Sequence, residues 1–284
     1  MYNIGLVYFL LILITSVCAG MLGAMAGLGG GILIVPFLTV LLNVNVDYAI
    51  GASIIAVIAT SSGSAYAYVR EKVSNIRIGT FLVLFTVPGA ILGAVIEGFT
   101  QPKYLFIVFG LIMFISIFAM YKKLKEKEDI DPVVKEDKLA DRLKLHSKYY
   151  DTRLKREIKY KVQHVKEGSL VMFFAGVASG LLGIGSGAFN VLGLDMIMKL
   201  PIKVSTTTSN FMIGITAAAS AGIYFLRGDV DPFIAAPVAI GVLIGAMGGA
   251  RILLRIKGNT IRVVFLAILF VMGVDMIIKG IGGI

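Results

Sequence analysis

Ten unbroken apolar stretches, five on either side of one densely charged run, constrain this chain more than any other feature. They cover residues 2–26, 32–42, 48–69, 78–96 and 104–121, then 169–182, 188–198, 204–226, 233–254 and 261–278. With 57% hydrophobic and only 15% charged residues, against about 25% charged in soluble domains, the chain can bury such stretches only in lipid. Continuous runs, rather than alternating segments of about 10 residues, exclude a transmembrane barrel. The 33 glycines suit the close helix contacts of membrane bundles. The expected fold is an all-α polytopic membrane protein.

Residue usage narrows the chemistry. Cys18 is the single cysteine, and both histidines, His146 and His164, fall in the charged run. A disulfide framework, a cysteine-rich zinc site and an iron–sulfur cluster are therefore excluded. A membrane-embedded hydrolase would need a nucleophile with its base, or a metal, inside the spans, and no histidine lies there. No enzymatic activity, metal or cofactor is expected. The net charge of +10 reflects basic loops rather than a nucleic-acid partner. Residues 1–3 carry no basic side chain, so a cleaved signal is not expected.

The charged run, 122–167, separates a first membrane unit, 1–121, from a second, 168–284. Within it Leu139, Leu143, Tyr150, Leu154, Ile158, Val162 and Val165 recur at spacings that fit one helix face, and Asp131 before Pro132 would start such a helix. The spacing predicts a solvated amphipathic helix joining two halves. Its basic residues would also suit a regulatory or lipid-binding role.

The halves are copies. Shifting the chain by 156 residues lays Gly27-Leu28-Gly29-Gly30-Gly31 on Gly183-Ile184-Gly185-Ser186-Gly187, then Ser53 on Ser209, Thr60 on Thr216, Ser64 on Ser220 and Tyr68 on Tyr224. Farther on, Gly89 and Gly93 match Gly241 and Gly245 at an offset of 152. Five segments per half is odd, so the second copy is expected upside down. With the linker in the cytoplasm, 24 of the 27 Lys and Arg residues face inside, and only Lys103, Arg227 and Lys279 face out. Both termini are then extracytoplasmic.

Residues 32–42 and 188–198 are 11 residues each, or about 16 Å of helix, half of a hydrocarbon core roughly 30 Å thick. Short segments interrupted by glycine, at matching places in inverted repeats, point to a transporter's midplane site. Each half is expected to begin with a re-entrant or broken helix hairpin, though strongly tilted full crossings return the chain to the same side equally well. At such a turn the backbone can approach a ligand, and half-helix N–H groups favour an anion. Gly27, Gly29, Gly30, Gly31, Gly183, Gly185, Ser186 and Gly187 are therefore candidate binding residues; the alternative is that these glycines only permit tight packing.

Ser53, Thr60 and Ser64 share a helix face, as do Ser209, Thr216 and Ser220. These hydroxyls would either line a substrate path or bond neighbouring helices. Asn190, Asn210 and the run Ser205 to Ser209 add polarity to the second half alone. Asp195 and Asp275 precede Lys199 and Lys279 by four residues, so local ion pairs are expected rather than a proton relay. Lys199 and Lys203 would attract anions to the inner mouth.

The glycine motif running on through Ile32-Leu33-Ile34-Val35-Pro36-Phe37-Leu38, with its degenerate copy from Gly183, resembles the sulfite exporter TauE/SafE family, also called the TSUP permeases. The resemblance covers both halves. It implies an inner-membrane permease for sulfite, thiosulfate, sulfoacetate or related organosulfonates, with a small anion and the bilayer as partners; a homo-oligomer is compatible with it. The second copy departs from the motif, with Ser186 for a glycine and Leu192 for the proline, so Ser186 would offer a hydroxyl where the first copy offers backbone. The alternatives are a transporter of another small solute, a carboxylate or a cation, and a non-transporting receptor or assembly protein.

Overall fold

The computed structural model describes residues 2–70, 73–125, 137–151, 155–253 and 258–282. Each of the ten apolar stretches forms a helix over most of its described residues. In the first half these are α1 (Tyr2–Ala26), the half-helix α2 (Gly31–Pro36, continued by a π-helical turn Phe37–Leu41), α3 (Val46–Arg70), α4 (Ile76–Glu97) and α5 (Pro102–Lys125). A short α6 (Lys138–Arg142) and the strands β1 (Ser147–Asp151) and β2 (Arg156–Tyr160) follow. The second half has α7 (Val165–Leu182), the half-helix α8 (Gly187–Leu192, continued by a π turn Gly193–Ile197), α9 (Ile202–Arg227), α10 (Pro232–Leu253) and α11 (Gly258–Gly282). Among the described residues, α1, α3, α4, α7, α9 and α10 are long and apolar enough to cross a membrane.

Both half-helices change from α to π at the same place in the repeat. Pro36 stands there in the first and Leu192 in the second, so the wider turn belongs to the repeat and does not depend on proline. In the second half the chain returns to its starting level. The Gln163 amide donates to Met198 O at 3.2 Å, and Gly193 and Gly168 lie against Met172 and Met198.

Contacts recur in reciprocal pairs 156 residues apart. Tyr68 Oη donates to Ala24 O at 3.0 Å, and Tyr224 Oη donates to Gly180 O. The helix glycines obey the same rule, which corrects the offset of 152 read from the sequence. Gly89 abuts Phe173 O as Gly245 abuts Val17 O, and Gly93 abuts Val177 O as Gly249 abuts Met21 O. Gly241, Gly245 and Gly249 recur once per turn, so a match by residue type slips by four. Only the backbone contacts fix the register.

Over its described residues the linker is not one amphipathic helix but a short helix and a hairpin. Asp137 caps the short α6, accepting from the Leu139 and Ala140 amides, and β1 and β2 then form an antiparallel hairpin pairing Tyr149 with Ile158 and Ser147 with Tyr160. A spacing of four is even, so Ile158 and Val162 satisfy a strand's period of two as well as a helix's. Aromatic and β-branched residues tip the choice toward strand. Tyr149 and Tyr160 are buried, while Tyr150 stands half exposed. Leu154 and the expected start at Asp131-Pro132 lie outside the described residues.

This hairpin docks on the bundle. Asn75 is the joint: its amide N–H donates to Thr208 Oγ1 of α9, its Nδ2 to Leu145 O and Tyr160 Oη, and its Oδ1 accepts from Ile78 N to cap α4. Beneath lies a second apolar core in which Leu145 and Val162 meet Leu194, Met198 and Leu200 from the end of the second half-helix.

Candidate functional site

The two glycine turns pack against each other. Gly27 and Gly29 have φ of 74° and 72°, and Gly183 and Gly185 have 66° and 76°, the left-handed region that only glycine occupies without strain. A Cβ at Gly31 would come within 2.6 Å of Ser53 Oγ and 2.9 Å of Gly183 O, while one at Gly187 would strike the Leu28 backbone. In this conformation protein fills the space beside the glycines: Gly29 lies against Ile213, Gly185 against Val57, Gly27 against Thr206 and Gly183 against Ile50.

Two serines lock this arrangement reciprocally. Ser53 Oγ donates to Gly183 O at 2.7 Å, and Ser209 Oγ donates to Gly27 O at 2.9 Å and Gly187 O at 3.2 Å. Each hydroxyl holds a carbonyl of the opposite or adjoining turn. Thr60 lies beside Gly30 and bonds back to Ala56 O. Thr216 stands elsewhere, sharing a 2.7 Å hydrogen bond with Thr86. Ser64 and Ser220 bond within their own helices.

The copies differ in what they leave unpaired. In the second half Ser186 Oγ and both polar atoms of Asn190 are buried without a hydrogen-bond partner, and both residues are 0% exposed. They stand four residues apart, Asn190 N donating to Ser186 O at 2.9 Å. Asn210 donates Nδ2 to Ala24 O, leaving Oδ1 unpaired and buried. The repeat places Gly30, Ile34 and Ile54 at the equivalent first-half positions, and both isoleucines are buried. Ser186 is also twisted where its counterpart is not: φ is 53° at Ser186 and −66° at Gly30.

The second half-helix ends before Lys199, which turns left-handed with φ 59°. Lys279 Nζ donates to Thr39 O of the first half-helix at 2.7 Å. The sequence reading missed an ionic cluster at the far end of the bundle. Buried Glu97 pairs with Arg227, which bonds Asp229 at 2.6 Å and Ala94 O at 2.9 Å and lies over the Tyr224 ring. Glu97 ends its apolar stretch and Arg227 begins a loop, so each read as a boundary charge; that they share one end of α4 and α9 was the available signal.

Among the described residues no group of three or more metal-ligating side chains exists. The family model described as "Sulfite exporter TauE/SafE" matches residues 12–276. The chain is 26% identical to "Probable membrane transporter protein YunE" of Bacillus subtilis over 280 residues, 96% of this chain and 98% of that protein. It is 28% identical to "Probable membrane transporter protein YdhB" of the same organism over 246 residues, 85% and 89% of the two chains. No solved structure matches. The matching family and relatives are membrane transporters, not enzymes.

Proposed function

Since the chain belongs to the sulfite exporter TauE/SafE family, we propose that it carries small sulfur-containing anions such as sulfite, thiosulfate or organosulfonates. The observation that carries this reading is the set of buried, unpartnered polar atoms on Ser186, Asn190 and Asn210. A stranded buried donor or acceptor costs about 1–3 kcal/mol, so retaining several beside the interlocked turns calls for a ligand that satisfies them. Backbone N–H groups of the turns at Gly29 to Gly31, Gly185 and Gly187 complete the donor set, whereas the Gly27 and Gly183 amides and the Thr60 and Thr216 hydroxyls are committed to other partners.

Alternating access follows from one half rocking against the other. The movement has to part the two turns, and parting them frees the Ser53 and Ser209 hydroxyls, now committed to turn carbonyls, to donate to the anion. Opposed halves are supported by helix direction. Contacts of α4 with α9 advance together, Gly79 at Phe211 and Thr86 at Thr216, so these two run parallel. Because α3 returns into α4 through a short link, α3 and its copy α9 point opposite ways. The excess of Lys and Arg in one set of loops supports both termini outside and the docked hairpin in the cytoplasm.

Purified protein in liposomes loaded with labelled sulfite, thiosulfate, sulfoacetate or lactate tests the function. Saturable flux of a sulfur anion is expected; flux of lactate or a metal cation alone would overturn it. For orientation, single cysteines at Asn259 and Gln101 in a Cys18→Ser background meet an impermeant maleimide on intact cells. Gln101 should label and Asn259 should stay protected, and the reverse result would invert the topology.

A further inference from the structure

Resting on that reading and narrowing its substrate set, we propose that the substrate is a singly charged anion that itself carries a hydrogen-bond donor, a hydrogen oxyanion or a hydroxyl-bearing sulfonate, and that fully deprotonated dianions, thiosulfate and sulfoacetate among them, are rejected.

The argument starts from what the unpaired atoms can and cannot do. Asn190 is 0% exposed and neither end of its amide is paired. Whichever way the amide is turned, it presents an N–H pair and a carbonyl oxygen. The N–H groups suit an anion's oxygens. The carbonyl oxygen repels them and needs a donor. The Asn210 orientation is fixed by its bond to Ala24 O, so the atom left over there is again an acceptor, Oδ1. Ser186 Oγ, one helical turn from Asn190, can donate or accept. A bare oxyanion offers only acceptors and would leave carbonyl oxygens stranded against its own charge. An anion bearing O–H satisfies both kinds of atom.

Charge points the same way. Among the residues whose burial the structure describes, no Lys, Arg or His side chain is buried, and the buried charged side chain, Glu97, is already paired with Arg227. The cost of desolvating an ion grows as the square of its charge, and neutral dipoles recover far less of it than a cation would. A site lined by amides and hydroxyls therefore tolerates one negative charge and excludes two. First-half counterparts Gly30, Ile34 and Ile54 supply no such side-chain groups, so the selectivity resides in the second half.

The test compares probes that differ by one feature, on the full-length protein in liposomes. Isethionate and ethanesulfonate have the same charge and differ by one hydroxyl, and isethionate should be carried about tenfold faster or more. Sulfite flux at constant total concentration should fall in step with the hydrogen sulfite fraction as pH rises on both sides, and sulfate should not be carried. Asn190→Leu, and separately Ser186→Gly, which restores the first-half residue, should bring the isethionate to ethanesulfonate ratio toward one. Equal rates for isethionate and ethanesulfonate in the unmodified protein, or sulfite flux that tracks the dianion, would overturn the inference while leaving sulfur-anion transport intact. No flux of any sulfur anion would overturn both.

Discussion

The two glycine turns descend from one pattern and now do different things. Both use left-handed glycines at equivalent positions, both abut the other's backbone, and each is held by a serine 156 residues from its counterpart. Yet the first turn runs on into buried isoleucine, and the second into a hydroxyl and an amide with no partners. The difference teaches that contacts holding the halves together must stay reciprocal, because each serves both copies, whereas neighbouring positions are free to diverge in one; on the proposed reading those diverged positions meet the ligand.

The sharpest way to break the comparison is to attack what the copies share. Gly31→Val and Gly187→Val should both be damaging, each by about 1–3 kcal/mol, because the added side chain meets backbone of the opposite turn, Gly183 O at Gly31, where the Ser53 and Val57 side chains also crowd it, and Leu28 at Gly187. Gly222→Val, with nothing near its Cβ position, is the control in a thermal unfolding series in detergent. A loss at only one of Gly31 and Gly187 would mean that one turn alone carries the packing.

A second pair sharpens it. Ser53→Ala and Ser209→Ala each strand turn carbonyls, at about 1–3 kcal/mol. Ser209 serves two carbonyls and Ser53 one, so Ser209→Ala should lower the melting temperature more. The opposite order would show that the Gly187 contact contributes nothing.

The smallest effect concerns the hairpin, which has no copy. Partial burial opposes ionisation of Asp137, but the amides of Val165, Ala140 and Leu139 outweigh it and hold the carboxyl below its usual range. Its contribution is therefore present above the unfolded value of about 3.9 and is lost as pH falls through the lower folded value. Protection against hydrogen exchange at the α6 and α7 starts, measured relative to the intrinsic rate at each pH, should fall on acidification through that window. In Asp137→Asn the same amides should already exchange faster at neutral pH, with no further acid step from this residue.

The sequence by itself determined the apolar helices, the two short segments, the matching glycine and serine positions of the two halves and the family, because lipid allows few solutions and apolar length reads out directly. It also singled out Ser53, Ser209, Asn190, Asn210 and Ser186. Tertiary structure decided the rest. It showed that Ser53 and Ser209 hold opposing turns, that Ser186, Asn190 and the Asn210 Oδ1 are left buried and unpaired, and that Glu97 meets Arg227. It reset the glycine register and turned the linker into a docked hairpin. The reason is common to all of these: residue type states which bonds a side chain can make, but only the folded chain settles which partners are within reach. Where two periods fit one spacing, as at Ile158 and Val162, packing chooses between them.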